Sequence, residues 1–274
     1  SKPVPGSQID FTGATVQMRG FGATGGEKVL VMVDGVPLND GIFKTIDWNQ
    51  VPKDTIEKIE IIRGGGGATM WGNLAEGGVI NIITRDPKPG EKRIGFAYGE
   101  YNTKIGDGAI TLFSDDKLRV GLNLNTVETD GYNTAPKALQ NAAHLVATDS
   151  RTHNAQLNTT YSPTDKQKYY FKFNGHELLQ DHYNFDTANN QWYKFSGKTG
   201  GKVQYSDHGS FNFNGFYDHS QMNKQNGSLV SYGSNPPLDV RVPNTINLAG
   251  AIPSQKESMY YKQYGLATYI EENF

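Results

Sequence analysis

Ile56-Glu57-Lys58-Ile59-Glu60-Ile61-Ile62-Arg63-Gly64, then Trp71-Gly72, then Gly77-Gly78-Val79-Ile80-Asn81-Ile82-Ile83-Thr84, is the stretch whose reading decides the fold. Ile59 to Ile62 and Val79 to Thr84 read as strands, because β-branched side chains suit a pleated surface. Between them Gly64 to Gly67 allows backbone conformations closed to other residues, and Ala68 to Trp71 is expected to form a helical turn before Gly77-Gly78 releases the chain. Upstream, Pro52 fits the first turn of a short helix, expected to run through Glu57 or Lys58, where its missing N–H costs nothing. Further back, Val29 to Val33 and Val36 to Leu38 flank Asp34-Gly35, a dipeptide that tolerates the positive φ of a type I′ hairpin. Residues 1–90 therefore read as a small mixed α+β unit.

From Ile94 onward the pattern changes to alternation. Leu118, Val120, Leu122 and Leu124 interleave with Arg119, Gly121, Asn123 and Asn125, and Ala155, Leu157, Thr159 and Tyr161 interleave with Asn154, Gln156, Asn158 and Thr160. Phe171 and Phe173, then Phe211, Phe213 and Tyr217, and last Leu266 and Ile270, repeat the rule. One apolar and one polar face per strand is the pattern of a transmembrane barrel, whose mean hydropathy stays low. Short turns at Asp115-Asp116, Ser162 to Asp165 and Asp207-His208 alternate with long polar connections at 129–151, 180–196 and 221–257, so the short ones are expected on the periplasmic side. The connection Asn102 to Lys104 is short where this rule expects a long one. About eight strands are expected in residues 91–274. Tyr161, Tyr169, Phe171 and Tyr260 are candidates for aromatic girdles at the membrane interfaces. A soluble β-sandwich also has period-2 strands, but its inward rows would not be polar throughout.

The mean hydropathy of -0.58 and the longest aliphatic run, Val29 to Val33, exclude helical membrane spans. A formal net charge of -2 and a pI near 6.3 provide no basic field for nucleic acid. With no cysteine, disulfides and thiolate metal sites are excluded. No signal peptide opens the sequence, which reads as mature or trimmed, with residues 1–8 a flexible lead-in. A phosphate loop is excluded because no Gly-Lys-Ser/Thr follows the glycine run. Neither Gly-x-Ser-x-Gly nor His-Glu-x-x-His occurs, and the six histidines are scattered, so no enzyme is expected.

The motifs of residues 56–84, together with Arg19-Gly20-Phe21 and the Val29 to Pro37 hairpin in the right order, resemble the plug of TonB-dependent outer-membrane receptors and transporters. One departure is Gly65, which stands where the family usually carries Pro after the Arg-Gly. The resemblance implies a transmembrane β-barrel of about 22 antiparallel strands when complete, about eight of them here, with an N-terminal α+β plug in its lumen: residues 1–90 the plug, lacking a TonB box, and 91–274 the N-terminal part of the barrel. Spread over 22 strands, residues 91–274 leave about 8 per strand including loops, fewer than the 9 to 11 a tilted spanning strand needs. The chain is thus expected to be part of a longer protein.

The resemblance further implies import of a ferric siderophore, haem or cobalamin, or alternatively a ligand-binding or signalling receptor without productive transport. Expected partners are TonB with its inner-membrane energising complex, a small-molecule or metal-chelate ligand and outer-membrane lipid, with an outer-membrane or lipoprotein partner left open. No cofactor and no resident metal are implied. The resemblance assigns the plug–barrel lock to Arg19 and Arg63, which in the family meet glutamates of the barrel, with Glu57, Glu60 or a carbonyl as the local alternative, since a guanidinium in a polar lumen is best satisfied by a carboxylate. Ligand-facing positions are Ala23, Thr24, Gly25 and Gly26, and Leu38, Asn39, Asp40, Ile42, Phe43 and Lys44, with Phe43 foremost. Loop residues Tyr132, His182, Tyr183, Phe185, Trp192 and Tyr193 are expected to offer aromatic contacts. The acidic positions Asp181 and Asp186 beside His182, and Glu128, Asp130 and Asp149, lack defined metal-ligand spacing.

Overall fold

The computed structural model describes residues 29–39, 46–63, 75–133, 146–182, 188–231 and 248–272. Two sheets divide the chain. The first contains β1 (Val29–Val33), β2 (Val36–Pro37), β3 (Ile56–Arg63) and β4 (Gly78–Thr84) in the order β2-β1-β4-β3. Here β1 lies parallel to β4, while β1–β2 and β3–β4 are antiparallel. Asp34 and Gly35 join β1 to β2 at φ 51° and 80°, the positive pair that a type I′ turn demands. The helix expected from Pro52 is absent. Lys53–Thr55 makes only a 3-10 turn and β3 begins at Ile56, because edge pairing with β4 claims the isoleucines.

The second sheet is a meander of eight strands, each paired antiparallel with the next in sequence. They are β5 (Lys92–Gly99), β6 (Thr103–Ser114), β7 (Leu118–Thr129), β8 (Ser150–Thr164), β9 (Gln167–Gln180), β10 (Asn189–Gln204), β11 (Gly209–Ser231) and β12 (Leu248–Glu272). The three tight connections fall at one end of this wall and the long ones at the other. The turn at Tyr101 and Asn102, both at positive φ, shares the long-loop end. Strands run further than the alternation suggested, so the long connections shrink to 130–149, 181–188 and 232–247. At 23 and 25 residues, β11 and β12 far exceed the 9 to 11 needed to span.

The wall is inverted relative to a soluble sheet. On β8 the polar row Thr152, Asn154, Gln156, Asn158 and Thr160 is only 1–7 % exposed, whereas the apolar outer positions Leu124, Phe171, Phe195 and Tyr217 are 40–51 % exposed. Apolar side chains left uncovered over a whole face require an apolar surround. At the short-turn end Tyr161, Tyr169 and Phe213 form an outer aromatic row with centroid spacings of 6.3 and 6.4 Å. No helix of the described residues is long and apolar enough to cross a membrane.

Apolar cores do not cross between the sheets among the described residues. Val29, Val31, Leu38, Ile46, Val51 and Ile82 form one cluster within the first unit, and Leu30, Met32, Ala75 and Val79 form another. The wall has its own cluster of Leu178, Trp192 and Met222.

Candidate functional site: a polar seam between plug and wall

Where the two sheets meet, carboxylates of the small unit face bases of the wall. The Asp34 carboxylate lies 3.0 Å from Lys172 Nζ, and Asp47 Oδ2 lies 2.9 Å from His176 Nε2. The third contact joins Asp86 to Lys168 at 2.5 Å. The three bases stand on β9 at every fourth residue, hence on one face and roughly 13 Å apart. Asp54 reaches Arg93 on β5 at 3.1 Å, and Arg93 also pairs with Asp107.

Two of the acids, Asp34 and Asp47, are held by backbone N–H groups of the small unit itself. Asp34 accepts from Thr84 N–H and Thr84 Oγ1 at 2.9 and 2.6 Å, which ties the β1–β2 turn to the end of β4. Lys172 donates to the same Thr84 Oγ1 and to its carbonyl. Asp47 caps the 3-10 turn Trp48–Gln50 by accepting from Asn49 N–H at 2.9 Å. Asn154 donates its amide to the Asn49 carbonyl at 2.7 Å and to Asn125, so its oxygen is left to accept from His176 Nδ1 at 2.8 Å. His176 thereby points Nε2 at Asp47, and Trp192 backs the ring edge-on at 6.0 Å. Burial pushes the Asp86 carboxyl up, but the hydrogen bond and charge of Lys168, aided by Lys172 and Thr160, outweigh it and hold it below the usual range. The link from plug to wall is clasped by Arg85, whose guanidinium grips both oxygens of Glu91 at 2.6 and 2.9 Å. That grip, outweighing desolvation, keeps the Glu91 carboxyl below the usual range.

Two of the spaces along the seam meet at Lys198. A pocket of about 40 Å³ lies between the β1–β2 turn and the wall, touching Asp34, Lys172, His176 and Lys198. A cleft of about 540 Å³ opens on the other side of Lys198, with Asp34, Tyr170, Lys172 and Tyr269 in its lining.

The expected site residues fall differently. Arg19, Ala23, Thr24, Gly25, Gly26, Asp40, Ile42, Phe43 and Lys44 lie outside the described residues, as do Tyr183, Phe185 and Asp186 and the Gly64 to Trp71 segment. Leu38 and Asn39 are each 4 % exposed. Leu38 fills the apolar cluster, and the Asn39 amide bridges Val31 N–H and the Val29 carbonyl, so both brace the hairpin and neither side chain faces open space. Arg63 and Glu57 stand exposed on edge strand β3 and pair with no wall residue among the described ones. Glu60 pairs with Lys58 of its own strand at 2.7 Å, an arrangement that holds its carboxyl down. The described seam thus has the opposite polarity to the expected lock: acids on the plug, bases on the wall. Trp192 and Tyr193 are strand residues, not loop residues; Trp192 is fully buried and donates to Ser220. Tyr132 packs on Tyr101 at 5.6 Å. Glu128 pairs with Lys104, Asp181 with Arg151, and Asp149 holds His182. One signal for the missed seam was present in the sequence, the fourfold spacing of Lys168, Lys172 and His176.

A small mixed sheet bearing polar contacts to a wall that is polar inside and apolar outside defines a plugged membrane barrel. The family model described as "TonB-dependent Receptor Plug Domain" matches residues 2–79, and that part of the chain is similar to the plug of the TonB-dependent receptors. A 95-residue stretch, 33 % of this chain and 15 % of the relative, is 39 % identical to the "Vitamin B12 transporter BtuB" of Vibrio vulnificus. Among solved structures, the ferric-catecholate import receptor Fiu of E. coli K12 in its open form superposes with a TM-score of 0.68 at 12 % identity, over 90 % of this chain and 40 % of that one. The ferric enterobactin receptor PfeA of Pseudomonas aeruginosa, as a mutant, gives 0.58 at 20 % identity, over 87 % and 38 %. The chain therefore spans well under half the length of these relatives.

Proposed function

We propose that the complete protein sits in a Gram-negative outer membrane and imports a large, scarce solute of the ferric siderophore, haem or cobalamin class, with TonB and its inner-membrane complex supplying the work. The observation that carries this reading is the seam. The plug keeps its own apolar cores and meets the wall through ion pairs and hydrogen bonds, so it can be displaced without exposing a shared hydrophobic core. Transport needs no bond chemistry, and no enzymatic step is assigned. Residues Ala23 to Gly26 and Asp40 to Lys44 are carried forward as the ligand-facing part of the plug. Expression of the full receptor in cells deprived of their own iron and cobalamin receptors, supplied with radiolabelled ferric chelates, haem and cobalamin, should give TonB-dependent accumulation of one of them. Accumulation that persists without TonB, or surface binding with none, would favour a capture or signalling receptor instead. Replacing Phe43 and Lys44 together by Ala should weaken binding; full affinity and uptake in that variant would remove the assignment.

A further inference from the structure

The inner face of β9 and β10 carries an unusual arrangement of charge. Lys168, Lys172 and His176 on β9 lie directly opposite Lys202, Lys198 and Lys194 on β10 in the sheet register. Like charges facing one another across a strand pair destabilise it, so the Lys168–Lys202 and Lys172–Lys198 rungs need anions to compensate them. On β9 they come from the plug, as Asp86, Asp34 and Asp47. On β10 they come from neighbouring strands, where Lys194 pairs with Asp218 of β11 at 3.4 Å and Lys202 with Glu271 of β12 at 2.9 Å. Lys198 is the exception. It has no carboxylate within ion-pair distance among the described residues, and its ammonium lies 5.2 Å above the Tyr170 ring. A Cβ on Gly200 would collide with Tyr170, so the glycine is what lets that ring lie beneath the lysine. Lys198 also borders both the small pocket and the larger cleft.

We infer that this ladder is an anion-guiding track along the lumen, and that the imported solute is a polyanion. The inference rests on the import reading above. When the plug shifts, its three carboxylates leave the β9 column, whereas the two wall carboxylates stay with β10. Lys168, Lys172 and Lys198 then face the lumen without counter-charge, and an anionic solute replaces the plug acids. The residue type fits transit. Lysine offers a mobile point charge on a flexible stem. Rungs roughly 13 Å apart along β9 allow a large chelate to engage the next pair before leaving the last.

Lys198 is the residue to change, because its replacement breaks none of the plug–wall ion pairs. In the full-length receptor, Lys198→Gln, Lys198→Glu and Lys198→Arg are compared for energised initial uptake per occupied surface receptor. The probes are a polyanionic ferric tris-catecholate, an uncharged ferric trihydroxamate and cobalamin. Expected is import of the polyanion by the parent, a fall on the order of tenfold for Gln, a larger fall for Glu, and near-parent uptake for Arg. If Glu fails to reach the surface, the Gln and Arg comparison decides. Equal uptake per receptor in Gln and Arg, or import of only an uncharged probe, overturns the track while leaving import intact. No accumulation of any probe by the parent overturns both.

Discussion

The plug sheet and the barrel wall are written in the same period-2 grammar with the sign of burial reversed. Central strand β1 reads Val-Leu-Val-Met-Val and buries four of its five side chains almost completely, because β4 and β2 flank it and apolar clusters cover both of its faces. Strand β8 buries asparagine, glutamine and threonine and turns Tyr161 outward at 44 % exposure. A soluble core is organised by excluding water from its centre. A barrel is organised from outside, by the bilayer, and its inner face is free to be polar. Hence the apolar clusters stop at the boundary, and the seam is built from acids, bases and amides.

The sharpest way to break this comparison is at a half-buried ion pair. Asp34→Ala removes the counter-charge of Lys172 and the acceptor of both Thr84 bonds, and is expected to cost about 3–5 kcal/mol. Limited proteolysis of the assembled receptor should show the plug cleaved earlier while the wall stays intact. A smaller effect is expected on the outer face. Leu157→Lys, opposite Phe173 in the lipid-facing band, should lower urea stability of the full receptor by about 2–4 kcal/mol. Asn214→Lys, lining the luminal cleft, should cost far less. Equal costs at the two positions would deny the assignment of faces.

The smallest expected effect concerns the Arg85–Glu91 clasp. Because the Glu91 carboxyl is held below its ordinary value in the folded chain, its contribution is fully present above the ordinary glutamate range, about 4.3. It is lost as pH falls through the depressed value. Hydrogen exchange at Thr111 N–H, which donates to the Glu91 carbonyl, should accelerate only on the acid side of that range.

Much of the fold was legible. Asp34-Gly35 announced the hairpin because few dipeptides accept two successive positive φ values, and Val120 to Leu124 or Asn154 to Tyr161 announced the wall because the rows alternating with the apolar ones are polar throughout. The Pro52 helix was misjudged because proline at a turn marks a start without choosing between a helix and a 3-10 turn. Trp192 was placed in a loop because polar neighbours mask a strand whose inner face is polar. The seam was the least legible part. Asn49 and Asn154 are 105 positions apart, and Asp34 and Asp47 are two acids among 28, with nothing local to show which base each one meets.

The central claim, that the plug is held by a separable polar seam and moves, is tested most directly by tethering it. This chain contributes no cysteine, so Asp34→Cys with Lys172→Cys in the full receptor can be joined by a reducible bifunctional thiol reagent that spans the pair. Energised uptake should stop on cross-linking and return on reduction, with surface binding of the solute preserved throughout. Uptake that continues undiminished in the cross-linked receptor would contradict the account.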